Sequence, residues 1–339
     1  MTKTLVNWLT LIGLAFFITA CSNQPEQVAL SGSTMGTTYH IKYVPNKQTP
    51  EPQLLQAQID LALDQVNDQM STYRKDSELS RFNQSLYEQS VPVSADTLKV
   101  IQEGIKLNGI TDGALDITLG PLVNLWGFGP DKRPTTIPTK AEVRRAKLKT
   151  GIDALHIKGN MISKTNPDLY VDLSSIAKGF GVDKVANILQ KYHVSGYLVE
   201  IGGELRVKGK KADGEPWRIA IEQPSDNGRA VQQVIEPGTM GMATSGDYRN
   251  YYEENGKRFS HIIDPRTGYP INHRLASVTV LAPQCMVADG YATAMMVLGT
   301  KASLALANKQ GLAIMLIEKQ DDGFKVFYSD AFKPYLKQH

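Results

Sequence analysis

Apolar positions along this chain of 339 residues switch between two periods, and the switches mark out its elements. Between Pro50 and Met70 the residues Leu54, Leu55, Ile59, Leu63, Val66 and Met70 recur at helical spacing, which places them on one face of an α-helix. Ahead of that helix, Thr37 to Val44 (TTYHIKYV) has the β-branched and aromatic content of a strand. A second helix is predicted from about Ala95 to Leu107. A third opens at Thr139, where Glu142 three residues on completes a capping-box spacing behind Pro138. Tyr197 to Ile201, Arg218 to Glu222, Ala276 to Ala282 and Leu312 to Ile317 read as strands, separated by Gly-Gly and Pro-containing turns. Strands with interspersed helices and no fixed-period repeat predict one α+β domain. No G-x-G-x-x-G follows a strand, so a Rossmann dinucleotide site is not supported.

The first twenty residues break this pattern. Lys3 precedes an apolar run from Leu9 to Ile18, and Ile18-Thr19-Ala20-Cys21 closes it, which reads as a cleaved export signal ending at the acylated cysteine of a bacterial lipoprotein. The alternative is an uncleaved anchor helix. Residues 1–20 are thus expected to be a lipoprotein signal peptide, residues 21–33 a small polar tether beginning at the lipidated Cys21, and residues 34–339 the folded domain. No later apolar run approaches the roughly 18 to 20 residues a membrane-crossing helix needs. The one other cysteine, Cys285, is left without an intrachain partner, so the core must hold the domain without a disulfide.

Composition changes this picture little. With 42% hydrophobic and 21% charged residues the chain is ordinary globular material. A net charge of +3, spread over scattered basic residues, forms no stripe for a nucleic-acid backbone, and nucleic acid is excluded as a partner. Two cysteines and six histidines fall into no zinc spacing, so any metal should have oxygen ligands.

Candidate chemistry gathers in five polar stretches set among apolar ones. Ser33-Thr34-Met35-Gly36-Thr37-Thr38 is by itself a flexible entry to the first strand. Met70-Ser71-Thr72-Tyr73 ends a helix, and Tyr73 either stacks on a planar ring or covers the helix end. Asp112-Gly113-Ala114-Leu115-Asp116, running on to Gly127-Phe128-Gly129-Pro130, combines acids and glycines suited to close backbone approach to a ligand. In Asp172-Leu173-Ser174-Ser175-Ile176-Ala177-Lys178 a strand ends at Asp172 and a helix opens near Ser174. Its free N–H groups and Lys178 suit a pyrophosphate, although a plain helix cap uses the same residues. The last stretch has three parts, Ala243-Thr244-Ser245-Gly246-Asp247, Ser260-His261-Ile262-Ile263-Asp264, and Ala288-Asp289-Gly290-Tyr291-Ala292-Thr293-Ala294. Asp289 and Thr293, four apart, share one helix face and could both offer oxygen to Mg²⁺. His261 is a structural histidine unless it stands beside a metal and a phosphate, where it becomes a proton acceptor.

The order and spacing of S-T-M-G-T, M-S-T-Y, G-A-L-D-I-T-L-G-P, D-L-S-S-I-A-K-G, A-T-S-G-D, H-I-I-D-P-R-T-G and A-D-G-Y-A-T-A resemble the FAD:protein FMN transferase (ApbE) family from about Ser33 to the last strands. The resemblance implies mixed or antiparallel sheets with packed helices, related to the T-fold. It implies FAD contacts at Met35, Tyr73, Ala114, Leu115, Asp116, Asp172, Lys178 and Ile263. Mg²⁺ ligands would be Ser175, Asp289, Ala292 and Thr293, with Ser175 and Ala292 acting through their carbonyls, and His261, Ser245 and Asp289 would serve catalysis. Family members often carry Gly or Ala at the position of Ser175 and some carry Asp at that of Ala292, changes that carbonyl ligation tolerates. The implied reaction moves the FMN half of FAD onto a threonine or serine hydroxyl of an acceptor flavoprotein and releases AMP. The implied acceptors are subunits of Nqr/Rnf-like membrane redox pumps. The implied location is the periplasmic face of a membrane, the inner one by family habit, although Ser22 is not the aspartate of inner-membrane retention. Two other readings use the same site: an FAD pyrophosphatase yielding FMN and AMP, and a flavin-binding lipoprotein without catalysis.

Overall fold

Tyr39, Ile41 and Tyr43 alternate with exposed neighbours along one strand and are almost wholly buried, because that strand packs one face against two helices. The computed structural model describes residues 26–130, 136–224, 230–247, 251–254 and 256–336. In chain order, β1 (Val28–Thr34) and β2 (Thr37–Tyr43) form a hairpin, followed by α1 (Pro52–Met70), α2 (Glu78–Asn83), β3 (Val91–Pro92), α3 (Ala95–Ile110), α4 (Gly120–Leu125) and α5 (Lys140–Lys147). Next come β4 (Leu155–Lys158), β5 (Met161–Lys164), α6 (Ala177–Lys191), β6 (Tyr197–Ile201), β7 (Glu204–Lys208), β8 (Ile219–Glu222) and β9 (Val231–Ile235). The remainder is β10 (Gly241–Gly246), β11 (Tyr251–Glu254), β12 (Lys257–Ser260), β13 (Ile263–Asp264), β14 (Tyr269–Pro270), β15 (Leu275–Ala282), α7 (Cys285–Leu298), α8 (Thr300–Gln310), β16 (Ala313–Gln320) and β17 (Gly323–Tyr328).

Eight strands join in the order β1-β2-β6-β7-β10-β15-β16-β17, and each neighbouring pair is antiparallel. All eight residues of β15 are buried because both faces of the sheet are covered there. On one face lie α1, α3, α6 and α7. On the other lie the β8–β9 hairpin, through Trp217, Ile219, Ile221 and Ile235, and the C-terminal turn at Phe332. This is the expected α+β domain with antiparallel sheets. The helix at Thr139 carries both halves of its capping box, and β2, β6, β15 and β16 fall where the apolar pattern put strands.

Three expectations give way. The tether does not run to Ser33, since Val28–Thr34 is an edge strand paired along its whole length with β2 and anchored by buried Leu30. Its Ser-Gly-Ser composition hides this, because the partner strand supplies the order. No strand ends at Asp172: Tyr170 makes only an isolated bridge to Leu119. The helix expected near Ser174 begins at Ala177, because the Asp172 side chain accepts from the Ser174 N–H at 2.9 Å and holds the chain in a turn. The signal peptide and Cys21 lie outside the described residues. Among the described residues no helix is long and apolar enough to cross a membrane.

Candidate active site

A cleft of about 1130 Å³ opens where α6, α7, the β1–β2 turn and the ends of β7, β8 and β10 meet. That exceeds the roughly 300–1000 Å³ of ordinary ligand pockets. Met35, Tyr73, Ala114, Leu115, Asp116, Asp172, Ser175, Lys178, Ser245, His261, Ile263, Asp289 and Thr293 all border it. Ala292 does not: it is 1% exposed and its side chain sits in the core, about two turns into α7. A second hollow, about 830 Å³ beside His273 and Phe327, holds none of the residues singled out from the sequence.

The floor is a charged cluster on α6, α7 and β7. Lys178 Nζ lies 2.7 Å from Glu204 Oε1 and 3.9 Å from Asp289 Oδ1. Asp289 Oδ2 accepts from the Gly179 N–H at 2.9 Å, which ties the two helices together at the site. Burial raises the pKa of Asp289, opposed by Lys178 and the Gly179 N–H. Burial likewise pushes Glu204 up to about 7, with Lys178 pulling it down. For Lys178 burial disfavours the charge, yet the carboxylates of Asp289 and Glu204 outweigh it and the pKa rises. Glu204 Oε2 is buried without a hydrogen-bond partner. An acceptor oxygen left in that state, beside a carboxylate and a hydroxyl on one helix face, suits an added hard cation.

Why these side chains converge follows from two alternations. Along β7, Leu205 and Val207 face the β8–β9 hairpin, so Glu204 and Arg206 face α6. There Glu204 meets Lys178, and Arg206 Nη1 donates to Asp183 Oδ1 at 2.8 Å. Asp183 also accepts from the Cys285 and Met286 N–H groups, both at 3.0 Å. It thereby caps α7, whose own N-cap residue Gln284 makes no side-chain cap bond. Asp289 follows one turn later on the same helix.

Gly179 permits the approach. A Cβ there would stand 2.5 Å from the Cys285 carbonyl oxygen and 2.8 Å from Asp289 Cβ. Gly179→Ala is therefore expected to destabilise the fold by about 1–3 kcal/mol, the cost of overpacking against backbone that cannot step aside. Denaturant unfolding measures it, and an unchanged midpoint would show that α6 and α7 can separate freely.

The other walls are similarly braced. Met35 (φ 50°) and Gly36 (φ 72°) form the left-handed turn between β1 and β2. Asp116 Oδ1 accepts from the Thr118 N–H and hydroxyl at 2.7 and 2.6 Å. Burial raises the pKa of both Asp116 and Asp172. The segment before Asp172 is held by Asn83, whose amide pairs both ways with the Val171 backbone, at 2.9 and 2.8 Å. Buried Lys164 adds bonds to the carbonyls of Asn83 and Leu169. His261 ends an aromatic series in which Trp126, Phe259, Tyr252, Phe128 and His261 follow one another with centroids 5.6, 5.1, 5.5 and 6.2 Å apart.

Sequence reasoning missed Glu204, Asp183, Arg206, Asn83 and Lys164. The Gly202-Gly203 pair before Glu204 was the one available signal. Both glycines have positive φ (57° and 102°), turning β6 into β7 at the cleft wall.

A model of the ApbE family matches residues 35–316. The FAD:protein FMN transferase of Vibrio cholerae is 55% identical over 332 residues, covering 98% of this chain and 99% of that protein. The FAD:protein FMN transferase of Haemophilus influenzae is 51% identical over 338 residues, with 98% of each covered. Among solved structures, the flavin transferase ApbE from Vibrio cholerae superposes with a TM-score of 0.87 at 56% identity, covering 92% of this chain and 99% of that one.

Proposed function

The chain belongs to the ApbE family, and on that premise we propose that it is an FAD:protein FMN transferase, moving the FMN half of FAD onto a threonine or serine hydroxyl of an acceptor flavoprotein with release of AMP. The observation that carries this reading is the buried Asp289–Lys178–Glu204 cluster, which opens with Thr293 into a cleft large enough for a dinucleotide. Mg²⁺ would be held by Asp289, Thr293 and the carbonyls of Ser175 and Ala292, the last through the second lone pair of a helix carbonyl. When bound, it supplies charge neutralisation at the diphosphate oxygens.

The chain's own groups do the rest. Lys178, kept charged by its two carboxylates, faces the negative charge that builds on the diphosphate. The acceptor hydroxyl oxygen bonds to the FMN-side phosphorus as the bond from that phosphorus to the bridging oxygen breaks. The bridging oxygen leaves with AMP. His261, which borders the cleft as Ser245 does, takes the hydroxyl proton. Tyr73 and the Ala114–Asp116 backbone would contact the FAD. The same reading makes residues 1–20 a signal peptide and Cys21 a lipid anchor, holding the domain at the periplasmic face of a bacterial membrane. There, flavin-carrying subunits of redox pumps would be its acceptors.

Incubating the protein with FAD, Mg²⁺ and an acceptor domain, followed by mass spectrometry of the acceptor, tests the proposal. A gain equal to one FMN phosphoryl adduct is expected, with AMP released in equal amount. Free FMN with unmodified acceptor would make the protein a pyrophosphatase, and no AMP at all a binding protein.

A further inference from the structure

We propose that Glu204 is a further cation-binding residue of the cleft: its Oε1 holds Lys178, and its Oε2 is kept for the divalent cation that Asp289 and Thr293 would bind. This inference rests on the transferase reading. Its support begins with one oxygen. Glu204 is 4% exposed, and its Oε2 is buried without a hydrogen-bond partner. A carboxylate oxygen withdrawn from water and given no donor is costly, and native structures rarely keep one without a role for it.

The other carboxylates of the cleft are not in this state. Asp116 and Asp172 each accept from a backbone N–H two residues on. Glu200 accepts from the Gly203 N–H at 2.6 Å and lies 2.9 Å from His40 Nδ1. Asp289 takes the Gly179 N–H, and Glu222 also has a partner. Among the described residues that border the cleft, Glu204 alone has a carboxylate oxygen both buried and unpartnered.

The balance of charge agrees. Lys178 is the only lysine or arginine among the described residues bordering the cleft. Its Nζ faces Glu204 Oε1 from 2.7 Å and Asp289 Oδ1 from 3.9 Å. With both carboxylates ionised, one ammonium answers two of them, and this buried cluster carries one negative charge in excess. Arg206 does not make up the difference, because its Nη1 is taken by Asp183 at 2.8 Å. A buried excess of this kind calls for a countercharge. A divalent cation supplies it and reverses the sign of the cluster, which then suits an incoming diphosphate.

The sheet fixes where Glu204 stands. It opens β7 directly after the Gly202-Gly203 turn, and Leu205 and Val207 lock the strand against the β8–β9 hairpin. Asp289 and Thr293 reach the cleft from α7. Two carboxylates from separate elements and a hydroxyl make an oxygen set of the kind Mg²⁺ takes.

The test titrates the full chain and its Glu204→Gln variant with Mn²⁺, an oxygen-preferring probe for the Mg²⁺ site, with FAD absent and free ion counted by electron paramagnetic resonance. Glutamine keeps an oxygen for Lys178 and removes the charge. The Mn²⁺ dissociation constant is expected to rise about tenfold or more, with FAD affinity in chelator within about twofold of the parent. Unchanged Mn²⁺ affinity would overturn the proposal; a fall in metal-free FAD affinity in its place would leave Glu204 as a holder of Lys178 alone. Should the variant fail to fold, crystals of the unaltered protein soaked in Mn²⁺ decide. An anomalous peak within about 5 Å of Glu204 Oε2, the reach of one bridging water, is expected, and a more distant ion or none refutes the proposal. Failure of the transferase reading shows elsewhere, as an acceptor without adduct, whatever the Mn²⁺ titration gives.

Discussion

Asp289→Ala is expected to lower FMN transfer by about 10³-fold or more, a loss of several kcal/mol of transition-state stabilisation. Asp289 is 4% exposed, and its two oxygens have different tasks. Oδ2 takes the Gly179 N–H, while Oδ1 faces Lys178 from 3.9 Å and keeps lone pairs for a cation. Truncation removes the one carboxylate among the expected Mg²⁺ ligands. It also leaves the Gly179 N–H without its acceptor, at about 1–3 kcal/mol of stability. The fold should survive, because Asp183 still caps α7. Transfer rates against Mg²⁺ concentration, with circular dichroism to confirm folding, make the measurement. A folded variant with the parent's rate and the parent's response to chelator would remove Asp289 from the metal site. Asp289→Asn adds discrimination: it can keep the bond to Gly179 and loses the charge, so its failure would point to charge and its success to shape.

For His261→Ala the expected loss in kcat is about 10²-fold, the low end of the 10²–10⁴ range for a positioned proton acceptor. The FAD dissociation constant should change little, because the imidazole serves the incoming hydroxyl. His261 follows directly on β12, and Phe128 stands edge-on to its ring at the end of the aromatic series from Trp126. Trp126 is itself fastened by its indole N–H to the Gly268 carbonyl at 2.9 Å. Partial restoration of transfer by added imidazole would confirm that the missing group is a base. Single-turnover transfer at the parent's rate would instead make His261 a wall residue.

How far the amino-acid order carried the reading depends on the range of the forces involved. Helix α1 was legible from six apolar residues at helical spacing, and five of the six are buried; Leu54, the exception, is 62% exposed. Asp289 and Thr293 were legible as neighbours because a four-residue step on a helix puts two side chains on one face, and both do border the cleft. Ala292 stands three positions from Asp289, a step that also favours a shared face, and it is the packing of α7 that puts its side chain in the core.

Glu204 gave little local sign. Its meaning comes from Lys178, 26 positions earlier, and from Asp289, 85 positions later, which only the stacking of β7 under α6 and α7 brings within reach. Asp183 looks like an ordinary helix acid until α7 arrives 102 residues later with two unpaired N–H groups. Strand β1 shows the same dependence. Its seven residues have weak strand composition, and they become a strand because β2 folds back through the turn at Met35 and Gly36.

By itself, then, the order of residues determined α1, α3, α5 and the strands β2, β6, β15 and β16, together with the family and most of the cleft's lining, since periodicity, capping and short motifs act over a few positions. The tertiary structure alone decided which charges face one another and how closely the helices approach. Burial, Coulomb attraction between buried groups and the absence of a Cβ at Gly179 depend on neighbours distant in the chain, and no window of sequence contains them.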